Sequence, residues 1–145
     1  VPIGSSLYTG AIWVCAAAGD TATALQLFEG MRRDGAEPST YTYAGLFKAM
    51  GGGALAARAH NRKEFVGLLE DVEGQMAADG LKHTQETFGA FVHALGRARG
   101  FDLMANRLEE GGDLAGEQTY NGAIGACVVA GHMKLAEKLL EGMKE

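Results

Sequence analysis

The stretch Tyr8–Met31 returns at Tyr120–Met143 with a constant offset of 112 residues and no gap. Twelve of the 24 aligned positions are identical, among them Tyr8/Tyr120, Gly10/Gly122, Ile12/Ile124, Cys15/Cys127, Gly19/Gly131 and Met31/Met143. Self-similarity at a fixed period marks a stack of supersecondary units, each burying its apolar face only against its neighbours. Two further copies fit between these: Tyr43 follows Tyr8 by 35 residues, Phe88 follows Tyr43 by 45, and Tyr120 follows Phe88 by 32.

Each copy reads as helix–turn–helix. In the first, Tyr8–Ala18 is a run of apolar and small residues, and Gly19 fits the position past a helix end where a positive φ is needed. Asp20-Thr21 offers an N-cap. Ala24, Leu27, Phe28 and Met31 then recur at helical spacing, and Asp34-Gly35 closes the second helix. Thr40 is the expected N-cap of the next copy. The resulting organisation is all-α, about four repeats: 5–39; 40–84, with an insertion near 51–62; 85–116, short and degenerate; and 117–145, truncated. The insertion, Gly51-Gly52-Gly53 through Arg62-Lys63, is expected as a loop between the two helices of its repeat. Gly10, Gly45, Gly89 and Gly122 fall within first helices, where bare backbone lets neighbouring helices approach closely.

Hydrophobic residues make up 47% of the chain, enough for a continuous core. No run approaches 18 uncharged apolar residues, so no membrane span is expected. Cys15 and Cys127 form no CxxC pair and read as buried thiols. The four histidines are scattered without metal-ligand spacing, so no metal or other cofactor is expected. Gly51-Gly52-Gly53 lacks the Gly-Lys-Ser/Thr ending of a phosphate loop, and no nucleophile–base–acid set stands out. The chain reads as a binding protein and not an enzyme. It begins at Val1, which suggests a processed chain or part of a longer one.

The segments TYTYAGLF (40–47), LQLFEGMRRDG (25–35) and AEPSTYTY (36–43), with Met31, Gly35 and Pro38 spaced as Met-x-x-x-Gly-x-x-Pro, resemble pentatricopeptide repeats. Tetratricopeptide repeats have a similar period, but their tryptophan–leucine–glycine–tyrosine pattern is absent. The resemblance implies a right-handed α-solenoid whose first helices line the concave face. It further implies a chloroplast or mitochondrial protein that binds single-stranded RNA, one base per repeat, through the fifth and last residues of each repeat. Carried over, those residues are Thr9 with Ser39 in the first copy and Ala44 with Thr84 in the second. The third copy offers Gly89 with Gly116, and the fourth offers Asn121. Of these, Thr9, Ser39, Thr84 and Asn121 are candidate base readers. Ala44 and Gly89 have no side-chain donor or acceptor.

The phosphate-contacting lysine of the family falls at Ala17, Gly52, Arg97 and Val129, of which only Arg97 is basic. Arg58, Arg62 and Lys63, with His60, form one further basic cluster, a candidate contact to phosphate or a partner. Trp13, the single tryptophan, is a candidate platform for a base or a partner chain. Net charge is −5, unlike the usual basic nucleic-acid-binding domain. The eroded readers and the uncharged first and fourth inner helices leave a second reading open. In it, the repeats form a protein–protein scaffold, a subunit of a larger organellar assembly whose partner lies on the concave face.

Overall fold

The computed structural model describes residues 4–56 and 61–144, so Arg58 and His60 lie outside the described residues. Among the described residues eight α-helices follow in order: α1 (Ser5–Ala18), α2 (Thr21–Arg33), α3 (Thr40–Ala56), α4 (Arg62–Ala78), α5 (Gln85–Arg97), α6 (Phe101–Gly111), α7 (Glu117–Val129) and α8 (Met133–Lys144). A 3-10 turn, Gly112–Leu114, separates α6 from α7. No described helix is long and apolar enough to cross a membrane.

The chain is an all-α solenoid. α1, α3, α5 and α7 pack side by side in one layer, and the second helices lie behind them. One core cluster runs through all the repeats, from Ile12 and Phe28 through Tyr43, Phe47 and Phe91 to Cys127 and Leu139. Phe47 meets Phe91 edge-to-face at 5.2 Å between ring centroids, and Phe28 meets Tyr43 likewise at 5.3 Å. Cys15 and Cys127 are buried free thiols, and burial pushes the pKa of both up.

Local signals act as their chemistry requires. Asp20 caps α2 by accepting the Thr23 N–H at 3.1 Å. Gly19 and Gly131 take φ of 67° and 77° at the hairpin turns of the first and fourth repeats. The same turn in the third repeat is made by Arg99, at φ 60°. A left-handed conformation costs a residue with a Cβ about 1–2 kcal/mol. The cap of α3 falls one residue before the expected Thr40. Ser39 Oγ accepts the Thr42 N–H at 3.3 Å, and Thr42 Oγ1 accepts the Ser39 N–H at 3.0 Å. This reciprocal pair satisfies two N-terminal donors that Thr40, already helical, does not reach.

The larger correction concerns the insertion. Gly51-Gly52-Gly53 belongs to α3, which runs on to Ala56, and Arg62 already opens α4. The extra residues lengthen both helices of the second repeat to 17 residues. The glycines are packed rather than looped. A Cβ on Gly52 would lie 2.6 Å from Gly19 Cα, and one on Gly53 would collide with Thr21. The α1–α2 turn therefore rests on bare α3 backbone, and Thr21 Oγ1 donates to Ala49 O at 2.9 Å across that contact. Close approach also holds at Gly45 beneath Trp13, at Gly89 against Thr119 and at Gly122 beneath His93. Gly10, on the first helix, meets no neighbour.

Polar ties lock the second helices onto this frame. Tyr8 donates to Asp34, and Tyr43 donates to Asp79 at 2.6 Å, where Arg32 also donates to the same carboxylate at 2.6 Å. Burial raises the Tyr43 phenol pKa strongly, and the bond to Asp79 adds to it. Glu73 on α4 accepts both Nε and Nη2 of Arg107 on α6, the latter at 2.8 Å, and pairs with His83 Nε2 at 2.9 Å. Burial pushes the Glu73 carboxyl pKa up, but the hydrogen bonds from His83 and Arg107 outweigh it and hold the carboxyl below the ordinary range. A depressed folded-state value contributes stability that is complete above the unfolded value, about 4.3, and lost as pH falls through the folded one. Stability is therefore expected to drop as the pH falls below about 4.5, and Glu73→Gln to cost about 2 kcal/mol at pH 7 while flattening that acid limb. Urea midpoints at pH 7 and pH 4 check this, and equal midpoints for the two proteins at pH 7 would count against it.

Candidate nucleic-acid interface

The aromatic anchor of each repeat sets a register. Five residues after it stand Trp13, Lys48, His93 and Gly125, one per first helix. This row crosses the face of the α1–α3–α5–α7 layer. Trp13 stacks on Tyr41 at 4.8 Å between centroids, with the planes 24° apart, and its Nε1 donates to Tyr41 O at 3.1 Å. Lys48 Nζ sits 4.6 Å from the Trp13 ring centroid, a cation–π contact. Tyr41 itself is 55% exposed and lines a hollow with Thr84, Gln85 and Glu86, so the indole backs an open phenol. Such a two-ring stack can be extended by a flat, unpaired ring from outside.

Next to it, a groove of about 450 Å³ runs between α3, α5 and α7, and Lys48, Gln85, Glu86, His93, Arg97 and Gln118 supply its polar lining. Lys48 reaches Glu86 at 3.9 Å, but both side chains are about half exposed, so this pair is weak. A second cleft, of about 370 Å³, adjoins the groove and shares His93 and Arg97 with it. Arg62 and Arg99 add two more guanidiniums to its lining, and the rest is glycine, alanine and Val129.

Two of the candidate phosphate contacts, Arg62 and Arg97, line a common cleft. Arg97 lies in the last turn of α5 and lines both depressions, Arg62 lines the second, and Lys63 is exposed in the first turn of α4. Lys48, His93 and Arg99 line the same two depressions, and none of them stands out as a candidate in the sequence. The five-residue offset from Tyr43 and Phe88 marks the first two. Arg99 stands eleven residues after Phe88, where Tyr8 and Tyr120 are followed by turn glycines. The inner face is thus basic at its centre rather than at Arg97 alone. The fourth inner helix is also not charge-free, because α7 starts at Glu117, while α1 carries no charge.

The candidate base readers are held differently. Thr9 is buried, with its hydroxyl 2.8 Å from that of Thr42 on α3. Ser39 and Thr84 are N-caps. Thr84 Oγ1 accepts the Thr87 N–H at 3.1 Å, and Thr87 Oγ1 accepts the Thr84 N–H at 2.8 Å. Ala44 is fully buried, and Asn121 is exposed on α7. Val14, Val128 and Val129 are exposed as well, at 71%, 51% and 86%.

The family described as "Pentatricopeptide repeat domain" matches residues 6–53, and "PPR repeat" matches residues 118–145, just over half of the chain between them. A curated Arabidopsis thaliana protein, pentatricopeptide repeat-containing protein CRR2, chloroplastic, is 28% identical over 119 residues, which is 79% of this chain and 16% of that protein. A crystal structure of the pentatricopeptide repeat protein PPR10 in complex with an 18-nt psaJ RNA element superimposes with a TM-score of 0.74 at 23% identity. It covers 97% of this chain and 20% of that one, as does a second structure carrying three cysteine-to-serine substitutions. The chain thus spans about a fifth or less of the length of these relatives.

Proposed function

Because the chain belongs to the pentatricopeptide repeat family, we propose that it binds single-stranded RNA along the face of its first helices, as a non-enzymatic part of organellar RNA metabolism. The observation that carries this reading is the convergence of Lys48 and Arg97, beside the imidazole of His93, on one groove whose single carboxylate among the described residues is Glu86, in a chain of net charge −5. Cations gathered on one face of an acidic protein favour a polyanion there and leave the remaining surface repulsive to it. The Tyr41–Trp13 stack supplies a platform for an unpaired base. Duplex RNA offers no such ring, because its bases are stacked inside. The capped or buried Thr9, Ser39 and Thr84, with Ala44 and Gly89, leave little side-chain reading in the first three repeats. Affinity then comes mainly from phosphate and stacking, with sequence preference centred on Asn121. RNA binding by the solved relative and the chloroplast location of the curated one support the reading.

The test is a titration with single-stranded RNA pools at low and moderate salt. Three to four phosphate contacts predict a slope of log affinity against log salt of about −2 to −3. Duplex RNA should compete poorly. No binding even at low salt would overturn the reading. In that case the exposed Val14, Val128 and Val129 favour the second reading, a scaffold with an apolar protein partner, and retention in a large complex after nuclease treatment would support it.

A further inference from the structure

The second cleft draws its lining from the second, third and fourth repeats. Three guanidiniums from three segments, Arg62 at the start of α4, Arg97 in the last turn of α5 and Arg99 in the following turn, line it together with His93. No carboxylate is among its lining residues within the described part of the chain. The ends of α5 and α7 meet at this rim, and a helix C-terminus favours one nearby cation. That accounts for Arg97, but not for two further guanidiniums from outside those helices. Gathering like charges is unfavourable unless an anion joins them.

Two independent observations show a local cost within the cluster. Arg62 Nε is buried without a hydrogen-bond partner among the described residues, a donor out of water with no acceptor. Arg99 occupies a left-handed turn where the first and fourth repeats use glycine. Strain at a position that glycine fills elsewhere in the same fold points to a role for the side chain. The rest of the lining is small, Gly96, Gly122, Gly125 and Ala126 among it, and nothing stands within 4 Å of the Cβ position of Gly125.

We propose that this cleft takes the terminal phosphate of an RNA strand lying in the neighbouring groove, with Arg62, Arg97 and Arg99 as its donors. The proposal rests on the RNA reading above. An internal phosphodiester carries a single negative charge and is bonded on both sides. A terminal phosphomonoester carries close to two charges at neutral pH and presents three free oxygens, which suits several guanidinium forks at once. The cleft sits at the rim where the first helices end and adjoins the groove through His93 and Arg97, so a strand can enter from one side and finish there.

The experiment uses one short oligoribonucleotide in three forms, with a 5′-hydroxyl and no terminal phosphate, with a 5′-monophosphate, and with a 3′-monophosphate. Binding is read by fluorescence anisotropy. One phosphorylated form should bind about tenfold more tightly than the unphosphorylated strand, and the arm that gains identifies the end. Arg62→Gln and Arg99→Gly should each abolish that gain. The glycine variant relieves the strained turn, so its folding is secure and a lost gain reflects the missing guanidinium. Equal binding of all three forms overturns the proposal and leaves the RNA reading standing. A gain that persists in both variants also overturns it. Absence of binding by every form overturns both.

Discussion

Gly52→Ala should unfold the chain more easily, by about 2–3 kcal/mol, although alanine is the better helix former by about 1 kcal/mol. The sign is decided by what the new Cβ meets. At Gly52 it would stand 2.6 Å from Gly19 Cα, and backbone on both sides cannot step aside as a long side chain can. Relief requires α1 and its turn to lift off α3, which would also break the Thr21 bond to Ala49 O and loosen the core around Ile12 and Cys15. Gly74→Ala on α4 is the matched control. Nothing lies within 4 Å of its Cβ position, so there the helix preference acts alone and stability should rise by about 0.5–1 kcal/mol. Thermal or urea melts of the two variants should move in opposite directions. If Gly52→Ala also stabilised the chain, the packing of the triplet against the first turn would be disproved.

The second large effect is functional. Arg97→Glu should weaken single-stranded RNA binding by about 30-fold at low salt, because it removes a charge-assisted contact and places a repelling charge where groove and cleft meet. The salt slope should fall in magnitude by about one. Arg97 is exposed, so its loss should leave the melting transition almost unchanged. Lys138→Glu carries the same charge change on the exposed side of α8, and it should leave affinity within about twofold. Equal losses in both variants would mean that bulk charge, and not the inner face, governs binding.

The repeat architecture was legible because its causes are local. The offset from Tyr8 to Tyr120, the Asp20 cap and the turn glycines each record something the backbone must do within a few residues. The five-residue step from each aromatic anchor also carries part of the candidate site. Lys48 and His93 stand where Trp13 stands, so counting from the aromatic anchors places them on one face without coordinates. Arg99 was harder to see, because a glycine-to-arginine change at a turn reads as drift until its φ is known.

Other features depended on which surfaces came together. The glycine triplet has the composition of a loop, and only the approach of the first hairpin turn shows why a helix would be bare there. Thr9 carries a reader's chemistry, yet Thr42 of the next repeat claims its hydroxyl. Arg62 and Arg99 are 37 residues apart and share a cleft because the lengthened second repeat brings the start of α4 to the end of α5. Periodicity and capping are short-range properties of a chain and survive in one dimension. Close contact, the claiming of a hydroxyl and the convergence of charge depend on how helices from different repeats lie against each other, which exists only once the solenoid has stacked.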